Sequence, residues 1–408
     1  MIGATALAQG IILGVTPLLA RSYDPGAFGY LSLVLAASSI VAPAACLKLE
    51  SALLLPKSGQ RATALFVAGT VASVLISLGA GLAFEFAFVV GLLPELAQLP
   101  HFAWWVAVLI LFTAAFSLVS QLALRGELYG VVARRNLHQA VVASVGQVGL
   151  SFVLPLGGLV TGQVLGRLAG VVPVLYSSRG LLRRFRPQLV PLVLRRYWKF
   201  PAVFTPSALL NALGLGLPLI FIGSRFGVEV AGQWGMADRL LAAPVILVGL
   251  GVGQVLEARL AAHRREGVEP LTPIFMRSSR LLAISGGVLV IGLWLFGDLV
   301  LPWILGPGWE ESVTLAMIIV ISTGFRLVAG PISKVLVVLQ CATANLALDA
   351  ARVVLLVAAM GVSVWRNHTV NEVAMIITLT LSLIYVVTWF ISWQAVRGYD
   401  ASRLARGG

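Results

Sequence analysis

Charge is scarce in this 408-residue chain, and acid is scarcest: 16 Asp and Glu stand against 29 Lys and Arg, and charged residues make up only 11%. Soluble domains carry roughly a quarter. With 59% hydrophobic residues and a mean hydropathy of +0.97, the composition excludes a water-soluble protein. Two cysteines, Cys46 and Cys341, lie in or beside apolar segments without metal-ligand spacing, which argues against a disulfide scaffold or a zinc site. The four histidines are scattered over separate connections and span ends with no HExxH pair, so neither a metal nor a cofactor is expected. A GxxxxGK[ST] loop is missing, and with it any nucleotide motor in this chain.

What the chain has instead is long apolar runs. About 20 apolar residues cross a bilayer as a helix, which satisfies its own backbone. Twelve such runs are read, at 2–20, 30–55, 63–84, 103–124, 137–155, 159–178, 201–223, 231–256, 274–296, 312–338, 345–365 and 372–396. The first lacks a basic leader and a small-residue cleavage site and is expected to be a retained helix. Cationic loops stay on the cytoplasmic side. An inside N-terminus puts Lys57, Arg61, Arg125, Arg134, Arg135, Arg179, Arg183, Arg184, Arg186, Arg195, Arg196, Lys199, Arg259, Arg264, Arg265, Arg397, Arg403 and Arg406 in the cytoplasm, and only Arg21, Arg225 and Arg366 outside. The expectation is an inner-membrane protein of twelve spans with both termini cytoplasmic. Positive-inside retention accounts for most of the net +13, and no nucleic-acid partner is expected.

The longest polar connection, 179–200, sets Arg183, Arg184, Arg186, Arg195, Arg196 and Lys199 around the apolar Leu189–Leu194. It is read as a cytoplasmic amphipathic basic linker in contact with membrane lipids, between an N-terminal six-helix lobe (1–178) and a C-terminal one (201–408). The lobes look duplicated. Pro17 and Pro218 share their offset with Pro43 and Pro244, and Gln9 with Asn211 and Gly29 with Gly232 keep nearly the same spacing. The four prolines are candidate hinges, since proline removes a helical bond. Six spans per half predict an all-α polytopic fold whose lobes are related by a pseudo-two-fold axis along the membrane normal, with a central cationic cavity. Gly162, Gly166 and Gly170 offer a smooth face for close helix packing.

Five cations lie within apolar runs: Lys48, Arg167, Arg239, Arg326 and Arg352. A cation in hydrocarbon costs about 2.5 kcal/mol or more, so a set of them implies water, partners or an anionic cargo. Only Glu50, Asp238 and Asp349 are comparably deep. Asp349 and Arg352, three apart on one helix, are expected to pair. Lys48 and Glu50, two apart and so about 200° apart around a helix, are expected to point to different surroundings. Arg167, Arg239 and Arg326 have no local acid at helical spacing. Arginine presents a planar two-bond fork to phosphate, so the set is read as a site for a phosphate-bearing cargo. Glu50, Asp238, Asp349 and Arg21 are candidates for gating or coupling.

The chain resembles the polysaccharide and O-antigen (Wzx-like) flippases of the multidrug/oligosaccharidyl-lipid/polysaccharide exporter superfamily. The resemblance rests on Leu19-Ala-Arg21-Ser-Tyr23-Asp-Pro25-Gly-Ala-Phe28-Gly29 with Leu47-Lys48-Leu-Glu50. It continues in Tyr197-Trp-Lys-Phe200-Pro201, in Pro206 through Asn211 to Pro218, and in Phe226-Gly227, Gly232, Arg239, Pro244 and Gly253-Gln254. Leu305-Gly306-Pro-Gly-Trp309-Glu-Glu looks like the family's outer loop before span ten. It implies two lobes that open alternately and carry a polyprenyl-diphosphate-linked oligosaccharide from the inner to the outer leaflet. It also implies a cationic central cavity, which agrees with the separate reading of Arg167, Arg239, Arg326, Arg352 and Lys48 as binding diphosphate or sugar, and polysaccharide polymerase or assembly proteins are the expected partners. Alternatives are a peptidoglycan lipid-precursor flippase, a drug/cation antiporter, or a membrane glycan polymerase or ligase. The antiporter lacks a carboxylate in span one, and the polymerase lacks a sizeable outer loop.

Overall fold

The computed structural model describes residues 2–177, 180, 185–266, 270–339 and 341–407. Arg179, Arg183 and Arg184 of the expected linker lie outside the described residues, as do the side chains of Arg259, Arg264, Arg265, Arg403 and Arg406. The helices are α1 (Ile2–Ser22), α2 (Pro25–Ala45), α3 (Leu49–Ala52), α4 (Gly59–Val89), α5 (Pro94–Ala97), α6 (Phe102–Arg125), α7 (Tyr129–Leu150) and α8 (Gly158–Ser177). They continue with α9 (Leu189–Arg196), a π-helical turn at Phe200–Phe204, α10 (Thr205–Phe226), α11 (Val228–Glu266), α12 (Leu271–Leu305), α13 (Glu310–Val338), α14 (Ala342–Trp365) and α15 (Val370–Gly407). A helix of twenty or more residues stands at each of the twelve expected runs. Among the described residues, nine helices are long and apolar enough to cross a membrane. The helix α7 is not one of these, because its second turn carries Arg134, Arg135 and Asn136.

The chain divides into two compact units, Met1–Gly235 and Met236–Gly408, with the boundary inside α11. This division lies away from the 179–200 connection, where the duplicated lobes are expected to join. Of that connection, α9 buries Val193 and leaves Leu192, Leu194 and Trp198 exposed.

In the first unit, α2 starts where the sequence says a helix should. The Asp24 carboxylate accepts from Ala27 N at 2.7 Å, and Pro25, which has no N–H to leave unpaired, takes the first turn. The expected uninterrupted run 30–55 is corrected here: α2 ends at Ala45, and Leu47 and Lys48 take left-handed backbone at φ 53° and 56°. Leu47 N and Leu49 N still find Ala44 O and Cys46 O, at 2.8 and 3.0 Å, so the break leaves these donors satisfied.

Glycine decides how closely this unit packs. A Cβ on Gly29 would overlap the Val228 carbonyl oxygen, and one on Gly232 would overlap the Pro25 carbonyl and stand 2.7 Å from Gly29 N. The two glycines related by offset in the sequence are therefore in backbone contact with one another's helix. Gly166 meets Ala143 and Gly170 meets the Phe116 ring, so the small-residue face of α8 lies against α7 and α6.

The second unit packs α12, α13 and α15 around Leu271, Phe275, Leu282, Leu327, Ile332, Val335 and Val396. Gly286 and Gly324 let α12 and α13 cross closely. The Asp400 carboxylate, near the end of α15, accepts from Leu271 N and Thr272 N, both at 2.9 Å, and from Thr272 Oγ1 at 2.6 Å. It thus caps α12 from 129 residues away. The outward face of α12 shows Ile284, Val288, Ile291 and Leu295, spaced by three and four, as a lipid-facing helix does.

Candidate functional site

The cations of the sequence reading fall into both units, Lys48 and Arg167 in the first and Arg239, Arg326 and Arg352 in the second. Lys48 is not within a spanning helix. It stands in the break after α2, with Nζ 3.6 Å from Glu50 Oε1, so the expectation that the two point apart is overturned. The physical reason is the left-handed pair at Leu47 and Lys48, which cancels the helical rotation on which that expectation depends. Glu50 sits in the connection between two spanning helices, where burial raises its carboxyl pKa and the charge of Lys48 pulls it down. Nearby, Arg125 Nη1 of α6 donates to Leu53 O at 2.9 Å, closing the carbonyl end of α3. Arg21 is exposed in the last turn of α1.

Arg167 lies mid-way along α8, with its guanidinium 5.2 Å from the centroid of the Phe116 ring. Its Nε is buried without a hydrogen-bond partner among the described residues. The same ring carries a second guanidinium, that of Arg135 at 3.8 Å. Sequence reasoning placed Arg135 in a cytoplasmic loop beside Arg134. The structure starts α7 at Tyr129 and leaves Arg135 only 5% exposed. Asn136 Oδ1 accepts from Arg135 Nη2 at 2.8 Å and from Nε at 3.3 Å, and Ser120 Oγ accepts from Nη1. A helical turn with Arg135 on the Gly170 face and Arg134 turned out was the available signal.

In the second unit, Arg326 is mid-way along α13 and meets an acid that its own helix does not offer: Asp238 of α11, at 3.8 Å. Asp238 is about half exposed and Arg326 about a third, so this is a long, screened pair, worth about 1 kcal/mol or less. The expected Asp349–Arg352 pair is present on α14 at 3.5 Å and is much drier, with side chains 6% and 9% exposed. Asn345 Nδ2 adds a 3.4 Å contact to Asp349. The Arg352 guanidinium is 5.7 Å from the Tyr385 ring centroid, and the buried Tyr385 of α15 feels the charges of Arg326, Arg352 and Asp238. The structure thus joins Arg326 to Asp238, and sets Arg352 beside both Asp349 and the Tyr385 ring. Arg239 follows Asp238 on α11 and is half-buried.

Pro17, Pro43, Pro218 and Pro244 each lie inside a helix that continues past them, in α1, α2, α10 and α11.

Chemically, these groups can hold anions and exchange ion-pair partners, and the dry Asp349–Arg352 pair counts for more than it would in water.

A family described as "Polysaccharide biosynthesis protein" matches residues 18–314. The teichuronic acid biosynthesis protein TuaB of Bacillus subtilis (strain 168) is 25% identical over 223 residues, 52% of this chain and 46% of that protein, so the match spans under half of the relative's length. Among solved structures, the lipid II flippase MurJ in an inward closed conformation superposes with a TM-score of 0.73 at 10% identity, covering 95% of this chain and 86% of MurJ. An inward-facing multidrug resistance MATE family transporter of the MOP superfamily gives 0.63 at 14% identity, covering 98% and 95%. At these identities the likeness is one of fold alone.

Proposed function

This chain belongs to the polysaccharide biosynthesis protein family, and we propose that it is a flippase for a polyprenyl-diphosphate-linked oligosaccharide, moved from the inner to the outer leaflet by alternating access. The observation that carries this reading is the excess of arginine over acid inside apolar helices. Arg167, Arg239, Arg326 and Arg352 lie within these helices, and Asp238 and Asp349 are the acids at comparable positions along them. Arginine stays charged when poorly solvated and offers two parallel donors to paired phosphate oxygens. In this reading the four arginines, with Lys48 at the end of α2, serve the diphosphate and neighbouring sugar. Asp238 and Asp349 hold Arg326 and Arg352 between loads, and Glu50 and Arg21 act in gating. The prolines at 17, 43, 218 and 244 are the bending points of two duplicated six-helix lobes, 1–178 and 201–408, joined by 179–200. The protein resides in the inner membrane with both termini in the cytoplasm, beside the polymerase or assembly proteins that receive the glycan.

Outward movement of an anion from a negative interior is favourable by about 2.3 kcal/mol per charge per 100 mV, so the diphosphate can use the membrane potential directly. Deleting the gene should make one lipid-linked glycan accumulate in the inner leaflet while surface polysaccharide falls. Intact surface polysaccharide without accumulation rejects the proposal. In vesicles, transport should quicken with an imposed potential, and indifference to it rejects the driving force alone.

The high likeness to a lipid II flippase supports a second reading, in which the cargo is a peptidoglycan precursor. It shares the diphosphate chemistry and differs in outcome, since the deletion would then stop wall synthesis.

A further inference from the structure

We propose that Arg135 and Arg167, set about the ring of Phe116, form a binding site in the first unit for the phosphate of a lipid headgroup. Both guanidinium carbons lie within 5.2 Å of one ring centroid, and the charge of Arg167 acts on Arg135. Neither has an acidic partner among the described residues. Two like charges held together away from bulk water destabilise each other. The aromatic face attracts both cations but cancels no charge. An anion resolves this conflict.

The two arginines are also prepared differently. Arg135 is held in place, with Nε and Nη2 on Asn136 and Nη1 on Ser120, whose own hydroxyl donates to Phe116 O. Each Arg135 terminal nitrogen retains a further N–H for a ligand. Arg167 keeps its buried Nε uncommitted among the described residues. Gly170 keeps the spot open, since a Cβ there would meet the Phe116 ring at 2.8 Å and Arg135 Cγ at 3.5 Å. A fixed fork and an uncommitted one suit a group with several equivalent oxygens, as a phosphate has.

Depth narrows the source. Arg135 is the seventh residue of α7 and Arg167 stands ten residues before Ser177, the last of α8, so at 1.5 Å per residue both lie roughly 10 to 15 Å inside their cytoplasmic helix ends. A phosphate that reaches them has left the headgroup layer and entered the protein. The headgroup of the proposed cargo does this by definition, and that identification rests on the preceding reading; the phosphate of a captured bilayer phospholipid has the same chemistry.

The test uses the purified full chain in detergent and a photoreactive farnesyl diphosphate. Peptides from α6, α7 and α8 should be labelled, and the labelling should fall at least tenfold in R135Q and R167Q. Arg167→Gln removes no hydrogen bond that the guanidinium makes among the described residues, so its thermal midpoint should match that of the parent and shows that lost labelling is not lost folding. Competition by phosphatidylglycerol as effective as by unlabelled farnesyl diphosphate upholds the site and names bilayer lipid as its source. Weaker competition upholds it and names the cargo. Unchanged labelling in both variants, or labelling that avoids all three helices, overturns the proposal. Labelling is read without transport, so it can fail while the gene-deletion experiment succeeds, and the reverse.

Discussion

Lys48 Nζ stands 3.6 Å from Glu50 Oε1 across a break in which Leu47 and Lys48 both adopt left-handed backbone. On an unbroken helix the two side chains would be about 200° apart and could not meet. The strained turn therefore makes the ion pair, and the ion pair and the Arg125 contact to Leu53 O help to hold the turn. Left-handed non-glycine residues cost about 1 kcal/mol each.

Leu47→Gly and Leu47→Val should accordingly diverge. Glycine relieves backbone strain at the loss of a partly buried side chain and should leave the thermal midpoint within a few degrees. Valine, branched at Cβ, cannot take this conformation without added strain and should lower stability by about 1–3 kcal/mol. In a double-mutant cycle of Lys48→Met and Glu50→Gln read by thermal unfolding, the coupling should be about 1 kcal/mol. A cycle that closes to zero would remove the pair from the account of this turn.

Arg326 should tolerate lysine better than alanine. A lysine keeps a point charge within reach of Asp238, whereas alanine leaves the acid without this partner. Arg326→Ala should lose most transport and Arg326→Lys retain a measurable part, with surface polysaccharide in a complemented deletion strain as the readout. Equal full activity in both would take Arg326 out of the site. Asp238→Asn should strengthen anion binding if the acid competes with cargo for Arg326.

Gly29→Ala and Gly232→Ala should each destabilise by about 1–3 kcal/mol, because the added methyl overlaps backbone carbonyl oxygens that cannot rotate away. Gly10→Ala and Gly14→Ala, where nothing lies within 4 Å of the new Cβ, should be neutral by the same assay.

Asp400→Ala should cost about 1–2 kcal/mol in the second unit, as the loss of a helix cap does, and Asp400→Asn about half of that. Proteolysis after Leu271 should quicken in the alanine variant. Unchanged proteolysis and melting would show that α12 holds its start without the cap.

Patterns confined to one helix were readable from the sequence. The apolar runs became the twelve long helices, and the spacing of Asp349 and Arg352 foretold their 3.5 Å pair. Contacts that depend on a second helix or on irregular backbone were not. Arg326 finds Asp238 only because α11 and α13 come together, and Lys48 finds Glu50 only because three consecutive non-glycine residues, Cys46 to Lys48, turn where no glycine or proline marks a stop. Arg135 was misplaced because two adjacent arginines in a polar stretch look alike in sequence, although they project about 100° apart once α7 has begun.

The cap on α12 has a consequence for how the second unit is made. Leu271 and Thr272 leave the ribosome well before Asp400 is synthesised 129 and 128 positions later, an interval of about ten seconds at ordinary elongation rates. Through that interval the start of α12 is without this cap, which arrives only with α15. A nascent chain that stalls before Asp400 lacks the group that caps α12, so its second unit is a less stable one than that of the longer chain.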